Sequence, residues 1–155
     1  MTTERYDCRI QSSMDSLWSV LMDEVEHPEE YSNTITDVEV LERFHDGILR
    51  CLSVPDAKVR EKVIFDYERR RIDSSLVGHP SLVCHISKQI LPGNEAGELI
   101  LRSTLEWKST DESVDQMIRR NIADFVKDEQ EKVKRRVVTA VDDLDKALTR
   151  ISHQR

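Results

Sequence analysis

The sequence predicts an α+β fold: a curved seven-stranded antiparallel sheet wrapped around a long C-terminal helix, with two short helices after the first strand. Three observations predict it. Short segments up to about residue 110 alternate apolar and polar residues with period two, and a helical period takes over from Ser113. The four glycines and four prolines fall between those segments, where turns need special backbone angles, and none occurs after Gly97. The links between strands are short turns rather than crossovers, so neighbouring strands run antiparallel.

Residues 5–11 read as the first strand. Asp15 is placed to cap the helix that follows, in which Leu17, Trp18, Leu21, Met22 and Val25 share helical spacing. Residues 27–33 read as a second short helix or a turn after Pro28. Strands are then expected at 36–44 (Val38, Val40 and Phe44 on one face), 47–54, 58–68, 71–78, 81–91 and 98–108. The last alternates Leu99, Leu101, Leu105 and Trp107. From Ser113 to about Ile151 one apolar stripe contains Ile118, Ile122, Phe125, Val126, Val133, Val137, Ala140, Val141, Leu144 and Leu148. Ser113 is the expected N-cap, with Gln116 at capping-box spacing. This helix, ~55 Å long at ~1.5 Å per residue, is the only element able to cover the apolar face of the sheet.

A chain of 155 residues suits one domain. Its net charge of −7 lacks the electrostatic footprint of a nucleic-acid binder. No apolar run has the length of a signal peptide or a membrane span, so no membrane insertion is expected. Cys8, Cys51 and Cys84 are odd in number and far apart, which points to free thiols and a reducing cytoplasm. No cofactor and no metal are expected. His85 follows Cys84 on a strand, so the two face opposite ways, and no HxxxH, HExxH or CxxC spacing occurs. Spacing alone supports no Ser-His-Asp arrangement.

Several segments carry a resemblance: SMDSLWSVLMD, the stretch ITDVEVLER with Gly47 and LRCLSV, then VREKVIFDYERRRI, and LILRSTLEWKS with Trp107 just before the long helix. In these and in element order the chain resembles the START/Bet v 1-like superfamily, most closely the small AtaL-like proteins of unknown function. The resemblance spans nearly the whole chain. It implies the helix-grip fold and a deep, mostly apolar cavity between sheet and helix for a hydrophobic small molecule, polyketide-like, aromatic or lipid-like. Some members of the superfamily cyclise polyketides. The superfamily has no shared catalytic motif, so no active site is carried over.

Polar residues on apolar faces mark where chemistry would sit in such a cavity. Glu61 shares a strand face with Val59, Val63, Phe65 and Tyr67, and Glu129 lies between Phe125 and Val133 at i+4 spacing. Buried carboxyls shift toward neutrality, which suits general acid–base work on a carbonyl, so Glu61 and Glu129 are the candidate catalytic residues. Pairing with an arginine is the structural alternative for Glu61, and a place beyond the cavity edge for Glu129. Arg50 is the partner that position offers Glu61: facing inward it makes an anion site or a structural ion pair, facing outward it is solvated, and the register stays open. The candidate cavity lining is Tyr31, Arg50, Val63, Phe65, Leu101, Leu105, Trp107, Ile122, Phe125, Val126 and Val133. Tyr31 and Tyr67 are placed to offer hydroxyls near a mouth. Trp107 stacks on a flat ligand or fills core, and Trp18 fills core. Residues 127–136 read as a solvent face laced by pairs such as Asp128–Lys132 and Glu131–Arg135.

Two functions follow. One is capture of a hydrophobic small molecule, with or without cyclase or dehydrase chemistry. The other is a non-catalytic protein-interaction module with a closed cavity. Cavity volume separates them, since ligand sites enclose ~300–1,000 Å³. A monomer and a homodimer both remain open.

Overall fold

The computed structural model of the protein describes the backbone of residues 1–153 and their side chains except those of 139–145, 152 and 153. The chain runs β1 (Thr2–Gln11), α1 (Met14–Glu26), a single 3-10 turn (Pro28–Glu30), β2 (Asp37–Phe44), β3 (Gly47–Val54), β4 (Ala57–Asp66), β5 (Arg71–Val77), β6 (Leu82–Pro92), β7 (Glu98–Ser109) and α2 (Glu112–His153). The strands form one seven-stranded antiparallel sheet in the order β1-β7-β6-β5-β4-β3-β2. Every neighbour from β2 to β7 is joined by a short turn, as predicted, while β1 crosses to the far edge through α1.

The element boundaries differ from expectation where capping decides them. β1 starts three residues early, at Thr2, because its pairing with β7 continues to Trp107. Ser13, not Asp15, caps α1, since its hydroxyl accepts from the Ser16 amide. The second helix is only a three-residue turn. At α2 the cap is Asp111 rather than Ser113: its Oδ1 accepts from the Ser113 and Val114 amides at 3.0 and 3.4 Å. The Ser113 hydroxyl, which donates to the same oxygen at 2.7 Å, and then these amide bonds hold the Asp111 carboxyl below its ordinary pKa. With 42 residues, α2 is ~63 Å long rather than ~55 Å.

The sheet curves around α1 and the first half of α2. Ile48, Val63, Ile72, Ile90 and Leu101 on the sheet pack with Leu17, Leu21, Val25, Val133 and Val137 on the helices. A second cluster, around Leu105, Trp107 and Val126, lies toward the start of α2. Gln130 pins helix to sheet: its amide donates to the Tyr6 carbonyl at 3.0 Å and the Ser103 hydroxyl at 3.2 Å. The α2 stripe holds through Val137, but Leu148 is 54% exposed, because the helix there has outrun the sheet. Ala140, Val141 and Leu144 lie outside the described side chains. No described helix is long and apolar enough to cross a membrane.

Gly47 is needed at the β2–β3 turn for close approach. A Cβ there would sit 2.1 Å from the Val63 carbonyl oxygen. Gly47→Ala is therefore expected to cost ~1–3 kcal/mol by forcing β3 and β4 apart. Urea unfolding measures this, and a neutral variant would contradict the packing.

Candidate functional site

Alternation decides which side chains enter the interior. On β3 it turns Ile48, Arg50 and Leu52 inward, and on β4 Glu61 and Val63. Arg50 and Glu61 are directly opposed in the ladder. The register left open by the sequence is thus resolved: Arg50 faces in, 8% exposed. Its Nε and Nη2 both donate to Glu61 Oε1, at 3.1 and 2.5 Å, and Nη1 donates to the Val25 carbonyl at 2.8 Å. The guanidinium thereby ties the end of α1 to the sheet.

A second charged group stands beside the first. On β6, Ile86, Lys88 and Ile90 share the inner face. Lys88 Nζ bridges two carboxylates, Glu24 Oε1 on α1 and Glu129 Oε1 on α2, the latter at 2.7 Å. Glu24 is 4% exposed, and its Oε2 is buried with no hydrogen-bond partner. Burial first, and then the Glu129 charge, push the Glu24 carboxyl up to about 7, against the pull of Lys88. Burial alone would lower the Lys88 pKa, but Glu129 and Glu24 outweigh it and raise it, so Lys88 stays charged.

Between sheet and helices lies a cavity of about 150 Å³. Ile35, Leu52, Val54, Leu105, Phe125 and Val126 give it apolar walls, and Glu24, Arg50, Glu61, Lys88 and Glu129 give it a charged side. It holds three carboxylates against two cations, whereas the paired groups of a closed interior usually balance.

Of the residues expected here, Arg50, Glu61, Leu105, Phe125, Val126 and Glu129 line this cavity. Others stand elsewhere. Val63, Leu101 and Val133 are packed into the main core, and Phe65 leans on its edge. Trp107 is 1% exposed in the second cluster, its Nε1 donating to Asp115 at 3.1 Å, and Ile122 packs beside it. Tyr31 is not at a mouth: the 3-10 turn folds it back, 1% exposed, with its hydroxyl donating to Asp23 at 2.6 Å. Tyr67 is on the surface at the β4–β5 turn, bonded to Asp15 and edge-on to Trp18. Residues 127–136 do carry the expected Asp128–Lys132 and Glu131–Arg135 pairs, at 3.1 and 3.9 Å, but Glu129 and Gln130 turn inward.

Two charged cavity residues escaped the sequence reading, though the signal was there. Glu24 follows Leu17 and Leu21 at i+7 and i+3 on the buried face of α1. Lys88 lies two residues from Ile86 and from Ile90 on β6. A polar chain also emerged that spacing did not reveal: Ser75 Oγ lies 2.8 Å from His85 Nδ1, and His85 Nε2 lies 3.0 Å from Asp73 Oδ1. It sits on the outer sheet face, where the strand amides are engaged in the ladder and leave no donor pair for an oxyanion. Cys84 is shielded on the inner side, and burial pushes its thiol up to about 11, which leaves it protonated and inert.

Glu24 has a consequence for stability. Its folded pKa stands above its ordinary value, so the folded state binds more protons between about pH 4.5 and 7. Stability is therefore expected to fall as pH rises through that window, by roughly 3 kcal/mol in total. Glu24→Gln removes the titration and keeps the shape. Denaturation curves at pH 5 and pH 8 should show wild type losing ground to the variant at pH 8, and parallel pH profiles would contradict the assignment.

The comparisons agree with this architecture. The family model described as acetylaranotin biosynthesis cluster protein L (AtaL) matches residues 11–147. No match is found among curated proteins. Among solved structures, a START superfamily protein from Mycobacterium smegmatis is similar at 13% identity and a TM-score of 0.70, over 89% of this chain and 98% of that one. Zhui aromatase/cyclase from Streptomyces sp. R1128 is similar at 16% identity and 0.66, over 88% and 95%. Norcoclaurine synthase from Thalictrum flavum, in complex with dopamine and hydroxybenzaldehyde, is similar at 14% identity and 0.71, over 89% and 87%. These likenesses establish the START/Bet v 1-like helix-grip fold.

Proposed function

Since the chain belongs to the acetylaranotin biosynthesis cluster protein L family, we propose that it binds a compact, largely apolar small molecule between its sheet and its long helix. One observation carries this reading: a cavity with apolar walls ends on buried charged groups that apolar packing alone would not require. Ligand sites combine a hydrophobic lining with a few placed polar groups in just this way. A volume of about 150 Å³ is the size that admits a single aromatic ring, as judged from a cavity of ~150 Å³ that takes up benzene. A similar fold holds dopamine and hydroxybenzaldehyde, both one-ring compounds. A longer polyketide-like chain would need the sheet and helix to part.

In the enzymatic version, Glu129 is the acid–base group facing the ligand, and Glu61 acts through Arg50 to position it. The apolar walls hold the reacting carbons close. The closed interaction module is the second reading, favoured by a cavity about half the smallest usual ligand volume. A thermal-shift screen of one-ring compounds separates the two. Ligand binding predicts concentration-dependent stabilisation that a cavity-filling Val126→Phe abolishes. No stabilisation by any compound, with the variant more stable than wild type, favours the closed module.

A further inference from the structure

We propose that Glu24 is the proton-bearing residue of the cavity, and that the molecule it selects is neutral and presents an acceptor oxygen, a ketone or an aldehyde carbonyl, rather than an amine or a carboxylate. This rests on the ligand-binding reading above and deepens it. The argument starts from the count of charges. Lys88 and Arg50 face Glu24, Glu61 and Glu129. Arg50 is committed to Glu61 and to the Val25 carbonyl. Lys88 neutralises one carboxylate, yet it contacts two. A buried site with one carboxylate in excess takes up a proton or a cation, since an isolated buried charge is costly.

Geometry says which carboxyl takes the proton. Glu24 is the more buried member of the lysine-bridged pair, with a side chain 5% exposed against 16% for Glu129. Its Oε2 is also a buried oxygen that no described group satisfies, on a residue that lines the cavity. Facing it are Lys88 from β6, Glu129 from α2 and Arg50 from β3, with Glu61 from β4 behind Arg50. Tyr31 stands nearby, but its hydroxyl is spent on Asp23. A carboxylic acid at this position donates one hydrogen bond, and among the described residues Oε2 has no hydrogen-bond partner to accept it. The ligand supplies that acceptor.

The surrounding charges exclude the other ligand classes. With Glu24 protonated, Lys88 and Arg50 balance Glu61 and Glu129, so an ammonium group would add an uncompensated positive charge beside two cations. A carboxylate would add an uncompensated negative charge to the same balanced site, with neither cation free to pair with it. A carbonyl oxygen changes no charge and satisfies Glu24.

Four probes of one ring and similar size test this on the full chain: acetophenone, ethylbenzene, benzylamine and benzoate. Affinities are measured by calorimetry or by amide shifts from pH 5.5 to 8.5. Acetophenone is expected to bind at least tenfold more tightly than ethylbenzene at pH 6, and to weaken by about tenfold per pH unit above neutrality. Benzylamine and benzoate are expected to bind no better than ethylbenzene. In Glu24→Gln, whose amide still donates, acetophenone should keep its affinity and lose its pH dependence. In Glu24→Leu its advantage over ethylbenzene should vanish.

Carbon-13 carboxyl shifts give an independent readout without ligand: one resonance should titrate near neutrality and be missing in Glu24→Gln. If that resonance titrates below pH 5, or benzylamine binds best with affinity rising with pH, the proposal is overturned while the ligand cavity stands. If acetophenone and ethylbenzene bind equally, the proposal also fails alone. If no probe binds, ethylbenzene included, the ligand-binding reading falls and takes the proposal with it.

Discussion

Lys88→Met is expected to destabilise the protein by roughly 3–5 kcal/mol at pH 8, the cost of breaking a buried ion group by deleting one partner. Lys88 is the bridge between Glu24 on α1 and Glu129 on α2, so its loss leaves two carboxyls facing each other without a counter-charge. Methionine fills similar space, which separates the charge effect from a cavity effect. Both carboxyls can escape by protonating, so the penalty should shrink as pH falls. Urea unfolding at pH 5 and pH 8 measures this. Adding Glu24→Gln to the variant should recover part of the loss at pH 8. A loss below about 1 kcal/mol, or the same loss at both pH values, would show that the three groups do not form one electrostatic unit.

The second large effect belongs to Arg50. Arg50→Met removes the partner of Glu61 and frees the Val25 carbonyl, with a side chain that was 10% exposed. A loss of roughly 3 kcal/mol is expected, most of it from the carboxylate and carbonyl left unpaired. Glu61→Met made in addition should cost little more, because the pair is then absent as a whole. Arg50→Lys should not rescue, since one ammonium cannot meet Glu61 and the Val25 carbonyl with the spread of a guanidinium. A double-mutant cycle by chemical denaturation gives the coupling energy, and additive single losses would contradict the pairing.

Much of this was legible from residue pattern alone. Period-two alternation located every strand after α1, and the stripe of α2 held from Ile118 to Val137. Glu61 and Glu129 were visible as acids on apolar faces, because side-chain direction follows from spacing within one element. What spacing within one element does not carry is partnership across elements. Arg50 meets Glu61 only because the β3–β4 turn sets that register. Lys88 meets Glu24 and Glu129 only because three elements converge. Lys88 and Glu24 were legible in principle, each standing at inward spacing among aliphatic residues. They look unremarkable in a chain that is 34% charged, and only their burial singles them out. Tyr31 shows the opposite failure. Its place near the second short helix suggested a mouth, but the 3-10 turn folds it onto α1, where Asp23 accepts the hydrogen bond of its hydroxyl. Caps were misplaced by two residues for a simpler reason: Asp15 and Ser113 lie beside Ser13 and Asp111, and all four residue types cap helices well.

The central claim is that the space between sheet and long helix is a ligand site. An amide-shift titration of nitrogen-15-labelled protein with acetophenone tests it most directly. The account predicts saturable shifts at Leu105, Val126, Glu129 and Lys88, which surround the cavity from β7, α2 and β6. Shifts absent there, or confined to the outer sheet face around Ser75 and His85, would contradict it.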